Sequence, residues 1–151
     1  MNGRGGRRAS YADAFRYSAR SQRAVTSALR LRAEAEDPDG ALSSDAPVAS
    51  HRPMDTIASA VLRSTVSGAV VGADQALAVD EAVRAATADA AASYFADDRL
   101  GTLEPGKLAD VVVLDRDLFA TPDDRLSEVA VELTLVGGEV RYSAGRLAGL
   151  A

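Results

Sequence analysis

The chain has no cysteine and no tryptophan, one histidine, and only 5% aromatic residues. The missing cysteines exclude a disulfide framework and any thiolate nucleophile or metal ligand, and they leave the redox compartment unmarked. A single imidazole, His51, excludes a self-contained metal site built from several histidines, and a Ser-His-Asp triad would have to use that one ring. No run of about 18 apolar residues is present to span a membrane, and the N-terminus lacks the apolar stretch of a secretory signal. A cytoplasmic location is the default expectation. Hydrophobic residues reach 47%, but much of that share is alanine. One small-residue-rich core is all that 151 residues of this kind can bury.

The net charge of -5 hides an asymmetry. Residues 1 to 32 hold eight arginines and one acid, Asp13, a balance of +7, while the rest holds nine basic and twenty-one acidic groups, a balance of -12. Such an arm could suit a nucleic-acid or membrane surface. It matches no recognisable nucleic-acid module, so a solvated arm is the reading adopted and nucleic acid is not expected as a partner.

Residues 1 to 40 form this Arg-rich arm, partly helical or disordered, closed by the turn cluster "EDPDG". In "ALSSDAPV" (41 to 48) an apolar-to-small run ends in Asp45 and then meets Pro47, which stops a regular hydrogen-bonded element. From Met54 to Thr65, apolar residues at 57, 58, 61 and 62 mark one helix face. A second helix is expected from about Asp80 to Phe95, its acids in the first turn where the helix dipole favours them. Beyond Arg99 the pattern changes. "DVVVLD" (110 to 115) is a β-branched run bounded by acids and reads as a strand. "VELTLV" and "EVRYS", joined by Gly137-Gly138, read as a hairpin, because two glycines suit a two-residue turn with positive φ.

The run "GTLEPGKLADVVVLDRDLF" together with "LTLVGGEVRY" resembles the C-terminal signature of the amidohydrolase superfamily, most closely the amidohydrolase-3 type of metal-dependent hydrolases. "ALAVDEAVRAATADAAASYF" and "ALSSDAPVASHRPMDTIASAV" extend the resemblance upstream, so that it covers residues 41 to 142. Within it Ser43 stands where the family has glycine, Ala78 replaces a helix-capping threonine, and Asp89 occupies the place of an asparagine.

The resemblance implies an α/β fold in two parts. Residues 41 to 98 would be C-terminal βα units of an incomplete TIM barrel, and residues 99 to 151 strands of a small β-sandwich whose edges are left unpaired. A barrel typically takes about 250 residues, so the chain would be the C-terminal portion of such an enzyme. The family hydrolyses non-peptide carbon–nitrogen bonds in small molecules with a divalent metal, zinc. Its S-D-x-P-V aspartate faces that metal and moves a proton, a role that falls on Asp45 as both catalytic and metal residue. The remaining ligands come from a His-x-His pair and from middle strands that this sequence does not contain. The chain alone is therefore expected to bind no metal and to be inactive. The alternative is a non-catalytic module that pairs with a second copy or a complementing chain through its strand edges. Lys107 and Glu104 are expected to be structural, and Asp110 and Asp115 to bound the strand through turn hydrogen bonds.

Overall fold

The structure, a computed structural model, describes residues 40–44, 46–47, 49–65 and 68–145. The Arg-rich arm lies outside the described residues, and so does Asp45. Three helices, α1 (Pro53–Leu62), α2 (Val79–Ala86) and α3 (Ala88–Ser93), precede three strands, β1 (Val111–Leu114), β2 (Val131–Val136) and β3 (Glu139–Ser143). Short 3-10 helices occupy Ala73–Gln75 and Asp123–Glu128.

Helix α1 starts where proline is best tolerated, with Pro53 in its first turn, and ends at Arg63 in the left-handed conformation, φ 52°. The Arg63 N–H donates to Ser59 O at 3.0 Å, closing the last turn. Met54, Ile57, Ala58 and Val61 are buried along one face, as the spacing requires. They pack with Leu118, Leu126 and Val129 from the segment that carries the 3-10 helix Asp123–Glu128 and with Leu77 and Ala82 from the helical half. This cluster joins the helical half to the sheet half. The Leu77 N–H donates to Ala60 O at 3.1 Å, satisfying a carbonyl that α1 cannot use internally.

The second expected helix is in fact two. Thr87 leaves helical geometry at φ -127° and ψ -83° and separates α2 from α3. Its hydroxyl donates to Val83 O at 2.8 Å, and Arg84 and Asp89 bridge the break at 2.9 Å. Gly101, at φ +92°, packs directly on this corner. A Cβ there would stand 2.8 Å from Ala91 Cβ and 2.9 Å from Ala88 Cα.

Residues 40–44 are not a strand. No neighbouring strand is available among the described residues to take their N–H and C=O groups, and an isolated strand cannot satisfy them itself. Instead the Leu42 N–H donates to Ala85 O, at the end of α2. The strands form one antiparallel sheet in the order β1-β2-β3. Val111, Val112 and Val113 face Leu135, Thr134 and Leu133; the register then steps to Leu114 and Val131, so Glu132 is the extra residue on β2. Gly137 and Gly138, both at positive φ, make the expected tight turn between β2 and β3. Among the described residues this sheet is a single layer, with no second sheet facing it.

Candidate functional site

The sequence places its one chemistry-bearing residue, Asp45, between two described neighbours. The backbone on either side is drawn into a tight bend. The Ala46 N–H donates to Ser44 Oγ at 3.3 Å, and Pro47 follows in the turn. His51 stands exposed just before α1. The Arg52 guanidinium fixes the start of that helix by donating to Ser127 O at 2.9 Å. Residues 49 to 52 thus lead into α1 where it meets the 3-10 helix of the sheet half. Among the described residues, no group of three or more His, Cys, Asp or Glu side chains could hold a metal ion. The described part therefore does not supply the ligand set that a divalent metal needs.

The motif richest in polar residues serves architecture. Lys107 is largely buried, and its Nζ donates to Thr102 Oγ1 at 2.6 Å and to Leu100 O at 3.4 Å, while pairing with Glu104 Oε2 at 3.1 Å. One ammonium thus gathers three points of the loop between α3 and β1. The hydrogen bonds from Lys107 and Thr102 hold the Glu104 carboxyl below the usual glutamate range. Asp110 accepts from the Gly137 N–H at 2.7 Å and so ties the entry of β1 to the hairpin turn. At the other end Asp115 accepts from the Ala130 N–H at 3.0 Å, and its own N–H donates to Ala130 O. These two aspartates bracket β1 through hydrogen bonds, as their positions at its ends suggest.

Two further residues of this kind escape a reading by motif. Arg63 is buried, and its Nε donates to Val71 O at 3.2 Å, bracing the loop that leaves α1. Burial lowers its pKa, partly opposed by the nearby Asp74. Asp117 Oδ1 accepts from the Phe119 N–H at 2.9 Å and turns the chain toward the 3-10 helix; the only sequence signal is an aspartate two residues ahead of an apolar one after a strand.

The family model of the amidohydrolase family matches residues 12–142. The chain belongs to the amidohydrolase family. It is 37% identical over 101 residues to the N-substituted formamide deformylase of Arthrobacter pascens, covering 67% of this chain and 19% of that protein. It is also 36% identical over 106 residues to Protein LONG AFTER FAR-RED 3 of Arabidopsis thaliana, covering 68% of this chain and 18% of the relative. The chain thus spans less than a fifth of the length of these relatives. No solved structure matches it. Among the described residues no helix is long and apolar enough to cross a membrane.

Proposed function

We propose that this chain is the C-terminal portion of a metal-dependent amidohydrolase that cleaves a non-peptide carbon–nitrogen bond, and that it does not turn over substrate by itself. The observation that carries this reading is the match over residues 12–142, set against relatives of which the chain covers only 18% and 19%. The name of the bacterial relative points to an N-substituted formamide as the substrate class. Asp45 is the residue of this chain assigned to the reaction. Its role is that of a carboxylate that takes a proton and returns it to the leaving nitrogen. The described residues lack a zinc ligand set, so in this reading the metal is held mainly by polypeptide beyond them. A cytoplasmic location belongs to the same reading.

The test has two arms. The purified chain should hold far less than one zinc per molecule and release no formate from an N-alkylformamide above the buffer rate. Grafted in place of the matching segment of the deformylase, residues 41 to 142 should support hydrolysis, and Asp45→Asn in that graft should lower kcat by roughly 100-fold or more. Stoichiometric zinc with turnover by the chain alone would refute its inactivity. An Asp45→Asn graft as active as its parent would remove Asp45 from the chemistry.

A second reading, a non-catalytic module that associates through strand edges, is favoured by one feature of the sheet. Both outer strands, β1 and β3, are paired only with β2 among the described residues.

A further inference from the structure

The two edges of the sheet differ. β3 carries Glu139 and Arg141, which pair at 2.8 Å and leave charge along its exposed length. Charged side chains of this kind blunt an edge against further pairing. β1 has no such protection. Its four residues are Val, Val, Val and Leu, with neither lysine nor proline, and the irregularity beside it lies on β2, so β1 itself runs with unbroken alternation. Val112 is 55% exposed on it.

The hydrogen bonds show which backbone groups of β1 have no partner among the described residues. Ala109 O and the Asp115 N–H both turn toward the β2 side, accepting from Gly138 and donating to Ala130. Alternation along the strand then directs Val111 and Val113 inward to β2, and the backbone groups of Asp110, Val112 and Leu114 outward. An antiparallel partner must oppose outward residues with outward residues. When that partner is a second copy of β1, several registers satisfy the rule, and two of them set Val112 opposite an apolar residue. One sets Val112 against its own equivalent and brings Asp110 opposite an apolar Leu114. The other is centred on Val113, sets Val112 against Leu114, and brings Asp110 opposite Arg116 at both ends. Arg116 lies two residues beyond the end of β1, in a bend, is exposed, and is held to Asp115 of its own chain at 2.7 Å. Opposite charges facing each other across strands are favourable, and here they occur twice by symmetry.

We propose that the chain forms a two-fold homodimer by antiparallel pairing of β1 with its equivalent, in the register centred on Val113, giving one continuous six-stranded sheet. The observation that selects a second copy is this self-complementarity: an apolar centre with an acid before it and an arginine after it. A two-fold contact of this type uses the same patch on both subunits and closes on itself, so it stops at two. The proposal deepens the strand-edge reading and is independent of hydrolysis.

The experiment is sedimentation equilibrium of the full chain over roughly 1 to 100 µM, a range that reports micromolar dimers, without metal or substrate. The mass should rise from 15.7 kDa toward twice that value. Val112→Lys should hold the mass at the monomer with an unchanged far-UV spectrum, and Tyr142→Lys on β3 should leave the dimer intact. Because the chain has no cysteine, Val113→Cys supplies a direct check of register. Val113 would face its equivalent as a close, non-hydrogen-bonded pair, a spacing that a disulfide can span, so mild oxidation should give a covalent dimer. A wild type that stays monomeric throughout, or assembles beyond two, overturns the proposal. So does a dimer that survives Val112→Lys or is lost with Tyr142→Lys. A dimer without turnover in any amidase assay would leave it standing while weighing only on the hydrolytic reading.

Discussion

At the scale of single residues, the fold is most exposed to change at Gly101. Its φ of +92° is a conformation that L side chains rarely adopt, and the corner between α2 and α3 leaves no room for a methyl group. Gly101→Ala should therefore destabilise the chain by about 3 kcal/mol, combining backbone strain with overpacking, as read from urea unfolding. The opposite change is available at Ala78. This residue sits at the N-cap of α2 in extended geometry, and its N–H donates to Glu81 Oε2 at 2.8 Å, but an alanine cannot return a hydrogen bond to the helix. Ala78→Ser would complete the reciprocal cap and should stabilise by about 1 kcal/mol. The Glu104 tie gives a pH signature. Its folded-state pKa is lowered by Lys107 and Thr102, so its contribution is complete above the ordinary glutamate pKa and fades as pH falls through the folded value. Stability curves of the wild type and Glu104→Gln should differ at neutral pH and converge as pH falls below the ordinary glutamate range.

At the scale of elements, the stability of the join between helices and sheet rests on Leu126. It is fully buried and belongs to the cluster that unites α1 with the 3-10 helix leading into β2. Leu126→Ala should cost about 2–5 kcal/mol, and the loss should appear in one cooperative transition if the two halves unfold together. The elements also show what a sequence can and cannot disclose. The hairpin and β1 are legible because their signals are local: paired glycines for a turn with positive φ, and a β-branched run with an aspartate at each end. Helix α1 is legible because its apolar residues repeat at the helical period. The break at Thr87 is not legible, since no glycine or proline marks it in an alanine-rich window and the residue that packs on the corner, Gly101, lies fourteen residues on. The segment before Asp45 reads as a strand only if another strand lies beside it, and that requirement cannot be seen in a short apolar run. Of the candidate site, the sequence supplies the identity of Asp45 through its family motif, and the described residues add the bend on either side of it.

At the scale of the whole molecule, the distribution of aromatics decides how stable the chain can be. Tyr94, Phe95, Phe119 and Tyr142 are all the aromatic residues in the described part, and all lie at the surface, between 51% and 93% exposed. The buried cluster is left to Met54, Ile57, Val61, Leu77, Leu118, Leu126, Val129 and alanines. Aromatic side chains carry the largest apolar areas, so the described cluster, which holds none, gains less from burial, and native chains in general keep a narrow margin over conformational entropy. A protein with a narrow margin responds strongly to anything that binds only its folded state. If β1 pairs with a second copy, that linkage must appear in the melting temperature, because association stabilises by mass action while a monomer's transition ignores concentration. For a domain of this length, about 1 kcal/mol corresponds to several degrees. Thermal unfolding followed by circular dichroism should therefore shift upward by a few degrees for each tenfold rise in wild-type concentration, about the size expected from that linkage. Val112→Lys should remove the dependence without changing the melting temperature found at the lowest concentration, since the residue is exposed in the single chain. A melting temperature independent of concentration in the wild type would show that the chain reaches its stability alone, and that the unprotected edge of β1 is tolerated because the strand is only four residues long.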